Sequence, residues 1–295
     1  MTDYDRYNDP GTETGSAEAS GRFDLSVEMS CPMDFPRVVR AISHALRIPK
    51  WQARERLNQP GAVVAQAATE SQRQALRLGL AQLGARLVSV RRKQVNYDVN
   101  ASDLQNGDRN WLRRYLASRG ITAGQGVSLG IAEALMREPS AKGVVVLAQP
   151  FQHYDLYLTE MPVLPQLRAA LQNLAGFGPE EVQDMGEDVP LLLDRDLSWA
   201  EMQEATQAYS ALGLQVAARS TSFDCRQVVI ERVRDGAETL VALRQLGLFR
   251  RISVLPPLPF ALPPMGRLPT LFALALLDQV MAVTHIRHCA GAAEI

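Results

Sequence analysis

The sequence contains few of the residues that carry disulfide, redox or metal chemistry. Among its 295 residues are four histidines and three cysteines, Cys31, Cys225 and Cys289. An odd number of cysteines without a CxxC pair is not typical of a disulfide framework and suits a reducing compartment. We therefore expect a cytoplasmic protein without structural disulfides.

Long hydrophobic runs are also missing. The longest, "LPTLFALALLDQVMAV", is interrupted by Asp278 and falls short of the roughly 20 apolar residues that cross a bilayer, so it predicts a buried helix. Residues 1–22 are acidic and rich in Gly, Ser and Thr, without an apolar stretch. This composition is typical of a disordered leader rather than a signal peptide. We expect no membrane partner.

Catalytic motifs are absent from the sequence as well. It contains no GxSxG, HExxH or P-loop pattern. His285, His288 and Cys289 lie close together, but positions i and i+3 of a strand point to opposite faces, which does not suit a tetrahedral metal site. We therefore expect no enzymatic activity, cofactor or metal. An enzyme whose catalytic residues converge from different parts of the chain stays open.

The formal net charge is close to zero, at −1, which excludes a wholly basic nucleic-acid-binding protein. The charges are nevertheless segregated along the chain. Residues 37–93 contain twelve basic side chains against two acidic ones, and residues 150–224 contain twelve acidic against three basic ones. Such polarity suits an acidic partner protein, contact between parts of one chain, or self-association through opposite charges. Merely solvated surfaces would explain it too.

What the chain does contain is an internal repeat. Residues 23–92 predict the strand "FDLSV", the helix "FPRVVRAISHALR", a second helix that opens with proline, a third helix and the strand "ARLVSV". Thr69 is expected to cap the third helix at its N-terminus, and Gly84 to end it.

Residues 150–221 predict the same order. The strand "YDLYL" precedes the helices "PQLRAALQNLA" and "GPEEVQDMG", and "WAEMQEATQAYSAL" precedes the strand "LQVAAR". Ser198 and Gly213 bound the last helix with the spacing found between Thr69 and Gly84. This agreement favours one duplicated βααβαβ unit over two unrelated helix–strand segments.

A degenerate third unit is predicted for residues 222–295. It contains the strand "RQVVIERV", a helix, a second helix capped by Thr270, and the strand "VTHIRH". The segment "LPPLPFALPP" replaces one helix, since proline cannot sustain helical hydrogen bonding. Residues 93–149, with two helices and the strand "GVVVLAQ", are interpreted as a helical insertion or linker. The predicted fold class is therefore α+β, with two or three tandem βααβαβ units whose helices pack on small sheets.

The repeated unit resembles the C-terminal domain of the bacterial ribosomal stalk protein, a fold shared with the adaptor of the Clp protease. The segments that carry this resemblance are "RIPKWQARERLNQPG" and "GARLVSV". The resemblance implies a non-catalytic unit that presents a helical face to protein partners. In this sequence it places the partner-binding residues at Arg40, Lys50 and Arg54 in the first unit, and at Glu180, Glu181 and Asp184 in the second.

Two functions follow as hypotheses. The first is a non-catalytic protein-interaction adaptor or assembly scaffold. The alternative is a nucleic-acid-binding protein that uses the basic first unit and the Arg-rich helix near Trp111, because arginine neutralises phosphate while aromatic rings stack on bases. Its candidate residues are Arg91, Arg92, Lys93, Arg113 and Arg114. Trp111 and Tyr115 also fit the inward face of an amphipathic helix, so core packing competes with base stacking.

Overall fold

The computed structural model describes residues 22–29, 34–100, 106–121, 126–141, 143–160, 189–248 and 253–288. In this part of the chain the fold is mixed α+β, with eight α-helices and eleven strands in small antiparallel sheets. This confirms the predicted fold class. Residues 1–21 of the predicted leader lie outside the described residues.

The first unit is a βααβαβ unit, as predicted. Its elements are β1 (Phe23–Met29), α1 (Phe35–Leu46), α2 (Lys50–Asn58), β2 (Val63–Ala68), α3 (Glu70–Leu80) and β3 (Ala85–Arg91). Strand β1 lies between β2 and β3 and pairs antiparallel with both. The Asp34 side chain caps α1 by accepting a hydrogen bond from the Arg37 backbone amide. Thr69 caps α3 as predicted, but the helix ends at Leu80, before Gly84, where its end was predicted.

Residues 93–149 are more than a helical insertion. They form β4 (Tyr97–Asn100), α4 (Asn106–Ala117), α5 (Leu129–Arg137) and β5 (Val145–Ala148), and the two strands pair antiparallel. This βααβ order matches the first four of the six elements of the repeated unit. Strand β4 was not predicted because "YDVN" is only four residues long and carries no extended apolar pattern.

The second and third units share the strand order of the first. The second contains β6 (His153–Leu158), β7 (Leu191–Ser198), α6 (Trp199–Ala211) and β8 (Val216–Ser220). The third contains β9 (Arg226–Arg232), α7 (Gly236–Gln245), β10 (Phe260–Ala261), α8 (Arg267–Gln279) and β11 (Val283–His288). In each three-stranded sheet the first strand of the unit is central.

The predicted cap at Thr270 is wrong. Helix α8 begins four residues earlier than this cap implies, after Gly266, and Thr270 lies inside it. Its hydroxyl donates a 2.9 Å hydrogen bond to the carbonyl of Gly266, one turn before it. Threonine in a helix commonly bonds the carbonyl at i−4 in this way, which gives its hydroxyl a partner without ending the helix.

The first and third units share one hydrophobic core. Phe35 of α1 stacks on Phe272 of α8, with ring centroids 5.1 Å apart. A second core is formed by residues between Tyr97 and Phe151 and packs against Val88 and Val90 of β3. A small third core lies around Leu156 in the second unit. The first unit is therefore covered by the third unit near α2, while the outer sides of its helices stay exposed.

Candidate protein-interaction face

The three helices of the first unit form one surface layer. Helices α1 and α2 are joined through Arg47, whose φ of 54° lets the chain turn sharply between them. Helix α3 lies close against α1: a Cβ added at Gly79 would be only 3.4 Å from the Cβ of Ala41. Buried Ile42 and Leu57 anchor α1 and α2 to the core. The opposite sides of the helices consequently face solvent.

The exposed side of this layer is basic. Its exposed cations include Arg37, which pairs with Asp34. The other four, Arg40, Arg47, Lys50 and Arg77, we together call the basic face. Within the described residues none of the four forms an ion pair. Uncompensated cations on one surface create a positive potential that attracts acidic molecules. Two of the predicted partner-binding residues, Arg40 and Lys50, belong to this face.

Arg54, the third predicted residue of the first unit, contacts another part of the chain. Its Nη1 donates a 2.8 Å hydrogen bond to the carbonyl oxygen of Leu246, and its guanidinium lies 5.8 Å from the centroid of the Phe35 ring. Leu246 follows α7 in the third unit. Arg54 therefore helps to hold the third unit against α2, and the structure places it at the edge of the basic face.

A groove lies beside Arg54, between α2 and the third unit. It has a volume of about 410 Å³. Its walls are mainly apolar and include Phe35, Trp51, Leu248, Pro263, Pro264 and Met265. Trp51 remains 68% exposed. Sequence analysis missed this groove, although one signal was present: Trp51 is the only aromatic residue of the polar helix "KWQARERLN".

Arg92, predicted as a phosphate-binding residue, is buried and forms ion pairs with two carboxylates. Its Nε lies 3.1 Å from the Oδ1 of Asp24, and its Nη1 donates a 2.8 Å hydrogen bond to Glu133. Burial opposes the charge, but Asp24, Tyr97 and Glu133 raise the pKa of Arg92, which therefore stays protonated. The structure thus gives Arg92 a role between the first unit and α5, away from solvent.

The other candidates for nucleic-acid binding are exposed, but their aromatic neighbours are not free. Arg91, Lys93, Arg113 and Arg114 lie on the surface. Trp111 and Tyr115 of α4 are partly buried and pack on the second core. The guanidinium of Arg119 covers the Tyr115 ring at 3.6 Å from its centroid. Trp111 and Tyr115 therefore pack against the core, which is the alternative to base stacking that the sequence left open.

A polar junction brings together the three units that contain a three-stranded sheet. His153 of β6 lies with its Nε2 3.8 Å from Glu28 of β1 and its Nδ1 4.0 Å from Asp196 of β7. Arg267 of α8 donates a 2.6 Å hydrogen bond to Asp196. Burial and the positive charge of Arg267 lower the pKa of His153. This junction fixes the units relative to one another.

Three predicted residues, Glu180, Glu181 and Asp184, lie outside the described residues. Among the side chains that the structure describes, no group of three or more His, Cys, Asp or Glu could hold a metal ion. None of the described helices is long and apolar enough to span a bilayer.

Comparison of the chain with protein-family models, with curated proteins and with solved structures gives no match. The resemblance to the stalk-protein domain therefore stays a prediction.

Proposed function

We propose that this protein is a non-catalytic, cytoplasmic protein-interaction adaptor or assembly scaffold that binds an acidic partner protein on its basic face. The observation that carries the proposal is the set of four exposed cations, on α1–α3 and in the turn after α1, that form no ion pair within the described residues. Complementary charge orients a partner and speeds its association. The exposed Trp51 beside these cations adds apolar contact area, and tryptophan is enriched among residues that dominate binding energy.

Charge reversal at two positions tests the proposal. In the variant Arg40→Glu/Lys50→Glu, attraction for an acidic partner becomes repulsion. An exposed ion pair contributes about 0 to 1 kcal/mol, and here two attractions are lost and replaced by repulsions. We therefore expect the affinity for the partner to fall about tenfold, which corresponds to about 1.4 kcal/mol. The measurement is quantitative affinity capture from the native cell, followed by titration of each captured protein with purified wild type and variant.

A matched control is available on α4. Arg113→Glu/Arg114→Glu makes the same change of charge at two other exposed arginines and should leave the captured partners bound. If the captured partners bind the Arg40→Glu/Lys50→Glu variant as tightly as wild type, the proposal is refuted. A second copy of the chain as the partner would be seen as salt-sensitive dimerisation in sedimentation experiments, which charge reversal would abolish.

Nucleic acid is the competing ligand for a basic surface, and the exposed Arg113 and Arg114 would contribute to it. The two ligands differ in salt dependence, because displacement of condensed counterions makes the logarithm of a nucleic-acid affinity fall linearly with the logarithm of salt concentration. We expect captured partners to survive nuclease treatment. If nuclease releases them, and if reversal at Arg113 and Arg114 weakens binding, nucleic-acid binding replaces the adaptor proposal.

A further inference from the structure

The groove beside α2 is built by close contact between two units. Gly266 of the third unit lies against the backbone of α2, since an added Cβ would be 2.3 Å from the carbonyl oxygen of Asn58. The Gly266 amide also donates a 2.9 Å hydrogen bond to the Asn58 side chain. Gly247 has a φ of +79°, and an added Cβ there would meet the Arg54 guanidinium at 1.6 Å. These contacts fix both walls of the groove.

The chemistry of the groove is apolar inside and charged at its rim. Phe35, Leu248 and the proline-rich segment supply apolar surface, and Trp51 extends it into solvent. Single exposed apolar residues are common on protein surfaces. Trp51 differs because it borders a preformed apolar cavity. A volume of about 410 Å³ lies near the lower end of the range for ligand pockets, roughly 300 to 1,000 Å³.

The basic face begins beside the groove, at Lys50. Lys50 precedes Trp51 on α2, and Arg54 lines the groove, where Glu55 is the acidic side chain. The basic face continues from Lys50 to Arg47 and Arg40. A segment that enters the groove therefore meets an excess of cations beside it. Complementary charge favours an acidic segment over a basic one.

We propose that this groove receives one large apolar side chain from an acidic segment of a partner protein, whose carboxylates lie along the basic face. The proposal rests on the proposed function and names the chemistry of its partner. The apolar side chain supplies affinity by removing itself and Trp51 from water. The flanking carboxylates supply orientation, because exposed charge pairs contribute little energy each.

Three short peptides test this proposal. Each consists of alternating Asp and Glu around one central residue, Trp, Leu or Ala, and carries fluorescein for titration by fluorescence anisotropy with the full chain. We expect the Trp and Leu peptides to bind at least about tenfold more tightly than the Ala peptide. In Trp51→Ala this preference should disappear, while the affinity for the Ala peptide stays unchanged.

Two control variants separate the contribution of the groove from that of the basic face. Leu78 of α3 is 77% exposed and is not among the residues that line the groove, so Leu78→Ala should keep the full preference for Trp and Leu. Lys50→Glu should lower the affinity for all three peptides by a similar factor. Circular dichroism and thermal unfolding of each variant verify that it is folded.

The outcomes distinguish the groove from the basic face. Equal affinities for the three peptides, with Lys50→Glu still weakening them, would overturn the groove and leave the basic face in place. If no peptide binds, or if Lys50→Glu has no effect, both proposals fail.

A chain without residues 1–21, which are acidic, should bind the Trp peptide with unchanged affinity. Tighter binding would show that the chain's own segment occupies the groove, and would overturn a partner as its occupant.

Discussion

At the scale of single residues, Gly266 shows how closely the third unit approaches α2. In Gly266→Ala the new methyl group would lie 2.3 Å from the carbonyl oxygen of Asn58 and 3.0 Å from its carbonyl carbon, so the backbone must move. Overpacking of this kind typically costs about 1 to 3 kcal/mol, and we expect urea unfolding to show such a loss. The control is Gly130→Ala in α5, where the Cβ meets nothing within 4 Å. A Gly266→Ala variant as stable as wild type would contradict this packing.

Arg92 and Lys93 are neighbours in sequence with opposite environments. Arg92 is buried between Asp24 and Glu133, and its removal leaves the buried Asp24 carboxylate without its cation. Loss of one partner of a buried ion pair costs about 3 to 5 kcal/mol, which is the expected effect of Arg92→Ala on the free energy of unfolding. Lys93 is exposed, so Lys93→Ala should change stability by less than about 0.5 kcal/mol. Similar effects for both variants would refute the burial of Arg92.

At the scale of elements, the first and second units begin their last helix with the same capping box. The Thr69 hydroxyl accepts a hydrogen bond from the Gln72 amide, and the Gln72 side chain accepts one from the Thr69 amide. Ser198 and Glu201 make the same pair of bonds. The pattern is visible in sequence because the cap and its partner are three residues apart.

Loss of either cap should destabilise the protein by a similar amount. We expect Thr69→Ala and Ser198→Ala each to lower the free energy of unfolding by about 1 kcal/mol, since a helix N-terminus then loses a hydrogen-bond acceptor. Ser71→Ala changes an exposed residue two positions after the Thr69 cap and should have almost no effect. Denaturant unfolding, followed by circular dichroism, compares the three variants. A clear effect at Ser71, or none at the two caps, would contradict the capping boxes.

The sequence predicted these helices and strands because their signals are local. It could not predict the role of Arg54, which bonds a carbonyl 192 positions away along the chain. The groove beside Trp51 was missed for the same reason, since its walls come from two units. Arg92 was misleading because "VSVRRK" looks like a basic surface strand, while its carboxylate partners, Asp24 and Glu133, come from distant elements.

At the scale of the whole molecule, the polar junction joins the three units that contain a three-stranded sheet. His153 lies between Glu28 and Asp196, and Arg267 faces Asp196 from the third unit. Two further charges surround it: Arg86 pairs with Glu28, and Glu201, at the start of α6, interacts with His153. Among the groups that face one another here, His153 is the side chain that titrates closest to neutral pH. Its protonation adds a charge where three units meet.

Stability should therefore depend on pH through His153. Its pKa in the folded protein lies below the ordinary 6.5 because of burial and Arg267, so the unfolded state takes up the proton first. The stabilisation is present above the unfolded pKa and is lost as pH falls through the folded pKa. As the pH falls from about 7.5 to about 5.5, we expect wild type to lose more free energy of unfolding than His153→Gln, because only wild type carries this imidazole. Urea unfolding across this pH range measures the free energy of unfolding. If it changes equally with pH in wild type and in His153→Gln, protonation of His153 does not affect stability.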